Sequence, residues 1–243
     1  MNKLYRIFST TELLAGSLAE EIAHMISRAA QKKKITTIAV SGGNTPRHLF
    51  QVLVSDYSSA VDWNMIKLFW VDERCVPPDH PESNYGMTKK ILLDNISMRA
   101  ENIFRIKGED DPEQEALRYS DVINQQIRRK NNLPAFDIIL LGMGDDGHTA
   151  SIFPGNEKLL SSAKICEVAC HPVTNQKRIT LTGKVINNSE SIFFHVTGKS
   201  KAMITDEIFR NSEDSGKYPA SHISSVEGST IWFLDYESGR FIS

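Results

Sequence analysis

Cysteine is scarce: Cys75, Cys166 and Cys170 are the only three in 243 residues, too few for a covalent framework. Long hydrophobic runs are also missing. The longest stretch without a polar side chain, Ile138 to Gly144, falls far short of the ~20 residues that cross a bilayer. The opening MNKLYRIFSTTELL lacks the apolar block and small-residue cleavage site of a secretory signal. Neither sign of charge is in excess, since 28 Lys+Arg oppose 30 Asp+Glu for a net −2. The basic footprint of a nucleic-acid binder is therefore absent. No Pro/Gly/Ser-rich linker and no internal repeat divides the chain. These absences lead to the expectation of one domain over residues 1–243, cytoplasmic and reduced, with neither membrane nor nucleic acid as partner. A monomer is expected, with a dimer as the alternative. What the chain does have is 40% hydrophobic and 24% charged residues, the balance of a globular protein with a real core.

Strand-like and helix-like segments alternate. Ser9 and Glu12 read as an S-x-x-E capping box ahead of Leu14, Leu18, Ile22, Met25, Ile26 and Ala29 at helical spacing. The helix should stop near Gln31–Lys34, where cations suit the negative end of its dipole. The β-branched ITTIAV (35–40) reads as a strand. Thr45-Pro46 then offers an N-cap and a first-turn proline for a helix carrying Leu49, Phe50 and Leu53. IKLFWV (66–71) and FDIILLG (136–142) are further buried strands. DERCVPPDHPESNYG reads as a long polar loop before a helix at Met87–Asn95, and Asp111-Pro112 opens another running to about Lys130. ICEVAC, KRITLT, SIFFHVTG and TIWFLD complete the strands, with a helix near Lys199–Arg210. The alternation predicts a three-layer α/β/α, Rossmann-like fold, its mostly parallel sheet covered by helices on both faces.

Ligands of such sheets bind beyond the carboxyl ends of the strands, so the residues leaving each strand matter most. Ser41-Gly42-Gly43-Asn44-Thr45-Pro46 joins a strand, two glycines and a helix start. Bare N–H groups at a positive dipole end suit a phosphate, although a plain β-to-α turn uses glycine too. It is not a Walker A loop, because G-x-x-x-x-G-K-[ST] is absent. Asp72-Glu73-Arg74 follows IKLFWV; an acid and an arginine there can meet hydroxyls and negative charge, or simply pair with one another. Cys75 beside them has neither a helix N-terminus nor a paired histidine to activate it.

Gly142-Met143-Gly144-Asp145-Asp146-Gly147-His148 matches G-x-G-x-x-G, with Glu167 twenty residues past the last glycine. Two carboxylates inside the loop would repel a pyrophosphate, so the dinucleotide reading fails. What remains is a histidine held by glycines at a strand's carboxyl end beside two acids, the setting of a general base. The other histidines (24, 48, 80, 171, 195, 222) read as structural. Cys166-x3-Cys170-His171 matches no common zinc spacing. Gly198-Lys199-Ser200-Lys201-Ala202 lacks a nucleophile elbow, but its lysines open a helix, which is unfavourable unless an anion sits there. Arg178 is a charge within an otherwise apolar strand and reads as an anion partner.

Taken together, SGGNTP, VDERCVPPDHPESNYG, FDIILLGMGDDGHTASIFPG, RITLT and GKSKA resemble, in this order and spacing, the 6-phosphogluconolactonase family of the glucosamine-6-phosphate-deaminase-like superfamily. The resemblance runs from about residue 10 to 235. It implies a cytoplasmic hydrolase of the pentose phosphate pathway acting on a sugar-phosphate lactone. His148 would be the catalytic base and Asp146 its supporting acid. Asp72 and Arg74 would line the substrate site, and Gly42, Gly43, Arg178 and Lys201 would bind phosphate. No metal and no cofactor is implied. The related deaminases carry a glutamate five residues after the histidine, where this chain has Phe153. That departure favours ester hydrolysis over sugar isomerisation with deamination. A sugar-phosphate-sensing module is a third reading, but no segment resembles a DNA-binding helix-turn-helix.

Overall fold

The computed structural model describes residues 4–242. The first third holds β1 (Leu4–Phe8), α1 (Thr11–Gln31), β2 (Thr36–Val40), α2 (Thr45–Tyr57), β3 (Ile66–Trp70), β4 (Asp72–Arg74) and α3 (Asn84–Ile91). Next come β5 (Ile103–Phe104), α4 (Pro112–Gln126), the short hairpin β6 (Arg129–Lys130) and β7 (Leu133–Pro134), then β8 (Ile138–Leu141) and α5 (Lys158–Ser161). The remainder is β9 (Cys166–Cys170), β10 (Lys177–Leu181), α6 (Gly183–Asn187), β11 (Ser191–Val196), α7 (Ala202–Phe209), β12 (Ser229–Asp235) and α8 (Tyr236–Gly239).

Seven strands form the central sheet in the order β1-β12-β11-β8-β2-β3-β5, and every pairing in it is parallel. Helices cover it in the α/β/α manner. The central strands β2, β8 and β11 are buried along their whole length, as strands covered on both faces must be. Their aliphatic and aromatic side chains run into one core that extends from α1 to the far sheet edge. Within it Phe194 and Trp232 stack with centroids 3.9 Å apart.

From β2 the chain order proceeds through β3 to β5, whereas β8 and β11 lie on the other side of β2. The order therefore reverses between β2 and β8, and a crevice opens beyond the carboxyl ends of those two strands. The segments leaving them are Ser41–Asn44 and Gly142–His148. Ser41 ties them together, its N–H and hydroxyl both donating to the Leu140 carbonyl at 3.1 and 2.9 Å.

Several local expectations need correction. Thr10, not Ser9, caps α1, its hydroxyl accepting from the Leu13 N–H at 3.2 Å. Asn44 rather than Thr45 precedes α2, and no side chain caps that helix, so its first N–H groups are left for a ligand or water. The helix expected over 87–95 begins at Asn84, and α4 stops at Gln126. Asp72–Arg74 is a strand, not a loop, and β1 had no counterpart in the sequence reading. Finally, β9 and β10 do not extend the parallel sheet. β10 pairs antiparallel with β4 and β9 with β10 in a separate three-stranded sheet, which lies beside the crevice because β4 continues almost directly from β3.

Candidate active site

A cleft of about 190 Å³ occupies the switch point. Its lining includes Gly42, Gly43, Asp72, Arg74, Asn84, His148 and Arg178, residues from five separate stretches of chain. Of the eight site residues expected from the sequence, six therefore meet in one cavity.

The Gly142–His148 turn is folded around the histidine. Gly144 N–H donates to the His148 carbonyl at 2.9 Å, and Gly147 N–H donates to the Gly144 carbonyl at 3.1 Å. Gly147 takes a positive φ of 78°, and a Cβ there would lie 2.4 Å from the Tyr218 ring. This turn brings Asp146 Oδ1 within 2.6 Å of His148 Nδ1, and the same oxygen accepts from the His148 backbone N–H at 3.0 Å. Burial works against ionising Asp146, but the hydrogen bond and charge of His148 outweigh it and hold the carboxyl down at about 2. An ionised carboxylate can only accept, so Nδ1 carries the proton and Nε2 keeps the basic lone pair. The back of the imidazole rests on Phe153, with centroids 4.7 Å apart.

Arg74 and Arg178 face each other across the β4–β10 ladder, where like charges directly opposite are destabilising. Arg74 donates to the Glu82 carbonyl at 2.5 Å. The Arg178 guanidinium lies over the Phe153 ring at 5.5 Å, and its buried Nε has no partner among the described residues. Burial, reinforced by Arg74 and opposed by Asp72, lowers its pKa. Two crowded cations with unspent donors form a site for an anion.

Asp72 is buried on the same side. Its Oδ2 accepts from Ser151 Oγ at 2.6 Å, and its Oδ1 from Asn84 Nδ2 at 3.2 Å. Neighbouring Glu73 turns away to cap α3, accepting from the N–H groups of Asn84 (2.8 Å) and Tyr85 (2.7 Å) and from Ser83 Oγ (3.1 Å). It is a structural acid, and Asp72 and Arg74 form no ion pair with each other among the described residues. Burial pushes the Cys75 thiol up to about 11, which removes it as a nucleophile at neutral pH.

Lys201 stands apart from the other expected phosphate ligands. It is not among the cleft-lining residues, and its ammonium donates to Asp145. The anion expected beside the 199–201 lysines is thus supplied by the chain itself. Sequence reasoning assigned no role to Asn84 or Ser151, and marked Phe153 only as standing where the related deaminases carry a glutamate. Only SNY and TASIFP drew notice, as parts of longer blocks, because a buried polar contact across 79 residues leaves no local pattern.

The family pattern described as glucosamine-6-phosphate isomerases/6-phosphogluconolactonase matches residues 9–232. A 6-phosphogluconolactonase of Haemophilus influenzae is 39% identical over 98% of this chain and 99% of its own. That of Treponema pallidum is 42% identical over 77% of this chain and 78% of its own. The crystal structure of a protein named devB superposes with a TM-score of 0.92 at 38% identity, covering 99% of both chains. The resemblance read from the motifs is borne out: the chain belongs to the glucosamine-6-phosphate isomerase/6-phosphogluconolactonase family.

Proposed function

We propose that the chain hydrolyses 6-phospho-D-glucono-1,5-lactone to 6-phospho-D-gluconate, with His148 activating the attacking water. One observation carries this reading: an imidazole braced by an ionised carboxylate shares a single cleft with a two-glycine loop and an arginine that has donors to spare. The phosphate docks on the Gly42–Gly43 backbone and Arg178, which fixes the ring so that C1 lies beside His148. Lys201 joins the phosphate on exchanging Asp145 for it. His148 Nε2 takes a proton from water as the oxygen attacks C1. Arg74 and backbone N–H groups of the turn stabilise the oxyanion. The imidazolium, steadied by Asp146, then protonates the departing ring oxygen. A lactone is an activated ester, so side chains and water supply every step.

Phe153 stands where the related deaminases carry a carboxylate, and it packs its ring on the base instead. With no proton carrier at that position, hydrolysis is favoured over isomerisation. Reduced cysteines fit a cytoplasmic setting.

The test is acid release from freshly generated 6-phosphogluconolactone above the spontaneous background. His148→Ala should lower turnover ~10²–10⁴-fold, the usual worth of a general base, with an unchanged melting temperature. Ammonia release from glucosamine 6-phosphate, or binding without turnover, would overturn the proposal.

A further inference from the structure

Asn84 is 1% exposed and lines the cleft, and it carries an unanswered acceptor. Its Nδ2 donates to the Asp72 carbonyl at 2.9 Å and to Asp72 Oδ1 at 3.2 Å. Both partners only accept, so the amide cannot be turned over. Oδ1 is thereby forced to the opposite side, where it has no hydrogen-bond partner among the described residues. It sits against the two-glycine loop, and a Cβ on Gly42 would lie 1.8 Å from it. Glycine at 42 leaves room for this carbonyl as much as for a phosphate. An acceptor buried without a donor is costly and calls for a reason.

The reason lies in what the ligand can offer. Asp72 beside it is also acceptor-only, with one protein donor on each oxygen and lone pairs left over. Asn84 and Asp72 thus make one wall of the cleft rich in acceptors, whereas Arg74, Arg178 and the loop N–H groups make another rich in donors. Phosphate, lactone carbonyl and ring oxygen all accept, and they belong with the donors. The only donors on a sugar-phosphate lactone are its ring hydroxyls. We propose that Asn84 Oδ1 accepts a hydrogen bond from one ring hydroxyl of the substrate, making Asn84 a specificity-determining residue for polyhydroxylated lactones. This rests on the lactonase reading above and names what that reading leaves open, how the site selects a sugar ring.

The experiment compares 6-phosphogluconolactone with its 2-, 3- and 4-deoxy analogues on the wild-type chain, N84A and N84S. The full substrate should exceed one analogue by roughly 10- to 100-fold in kcat/KM on the wild type, the usual range for a buried hydrogen bond. That ratio should fall to about one in N84A, while discrimination against the other two analogues persists. N84S keeps a small polar group at the start of α3 and should show the same collapse, which guards against poor folding of N84A. An equal loss on all four substrates, no loss on any, or a wild type indifferent to every deoxy position would overturn the proposal. A wild type inactive on the parent lactone would sink the lactonase reading itself, a separable result.

Discussion

Gly144→Ala is the sharpest probe of the His148–Asp146 pair, because it disturbs the pair without touching either residue. A Cβ at 144 would lie 2.1 Å from His148 Nδ1, 2.2 Å from Cε1 and 2.7 Å from Asp146 Oδ1. The backbone at 144 is not among the positive-φ positions, so alanine brings no strain of its own and the fold should persist. The conflict falls on the imidazole, which must retreat from 2.1 Å to ordinary contact near 3.4 Å. A shift of about an ångström cannot coexist with the 2.6 Å bond to Asp146, and misplacement on that scale costs ~10²-fold in rate. The expected loss in kcat is therefore ~10²-fold, about 2.7 kcal/mol of barrier, and no greater than removal of the base. KM should move little, since Gly42, Gly43 and Arg178 are untouched. The assay is continuous acid release from the lactone, run beside a thermal melt. A variant that melts like the wild type and turns over within threefold of it would refute the claim that this pair performs the proton transfer.

Two more outcomes follow. Arg178→Ala should raise KM for 6-phosphogluconolactone by roughly 10- to 100-fold, the worth of a charge-assisted bond, and leave unphosphorylated gluconolactone unaffected. Equal loss on both lactones would remove Arg178 from the phosphate site. Glu73 is pushed up to about 7 by burial, against the pull of the Tyr85, Asn84 and Arg74 N–H groups. Its folded-state pKa is raised, so the folded chain keeps a proton that the unfolded chain releases above about 4.5, and stability falls as pH rises from there to about 7. Denaturant unfolding should show that decline, of order 3 kcal/mol, shrinking in Glu73→Gln; identical slopes would contradict it.

The buried strands β2, β3, β8 and β11 were legible because a doubly covered strand must be a short apolar run between turn residues, as TTIAV and IILL are. The switch-point loops were legible as glycine-rich exits from such strands, although glycine alone, which a plain β-to-α turn also uses, left their ligand open. β4 was not, because DER has no hydrophobic period; it is a strand only through its pairing with KRITL, more than a hundred residues away. Nor was the departure of β9 and β10 from the main sheet, since CEVAC and KRITL alternate like any half-buried strand and pairing partners are not a local property. The helix N-termini missed by a residue or more, with caps at Thr10, Asn44 and Ser83, are places where several polar residues in a row could each serve as cap. Arg178 was found because a charge inside a strand is locally anomalous. Asn84 and Ser151 escaped because each looks ordinary beside its neighbours, and only burial against Asp72 gives them meaning.

The same contrast bears on how this scaffold chooses its chemistry. Phe153 is 1% exposed and touches His148, His171 and Arg178 at 4.7, 5.1 and 5.5 Å. Its ring walls His148 on one side and supports the Arg178 guanidinium on another. A carboxylate in that place would sit between an imidazole and a guanidinium, drawing Arg178 into an ion pair and away from the ligand. It would also add a second proton carrier beside the first. The apolar ring does the reverse: it leaves the Arg178 donors unspent, adds no second proton carrier, and bridges His148 and Arg178 through one rigid plate. Exchanging acid for aromatic at that position therefore changes two properties at once, the number of proton carriers and the strength with which the cleft holds phosphate. The proposed lactone hydrolysis needs the first low and the second high, and a phenylalanine between His148 and Arg178 acts in both directions at once.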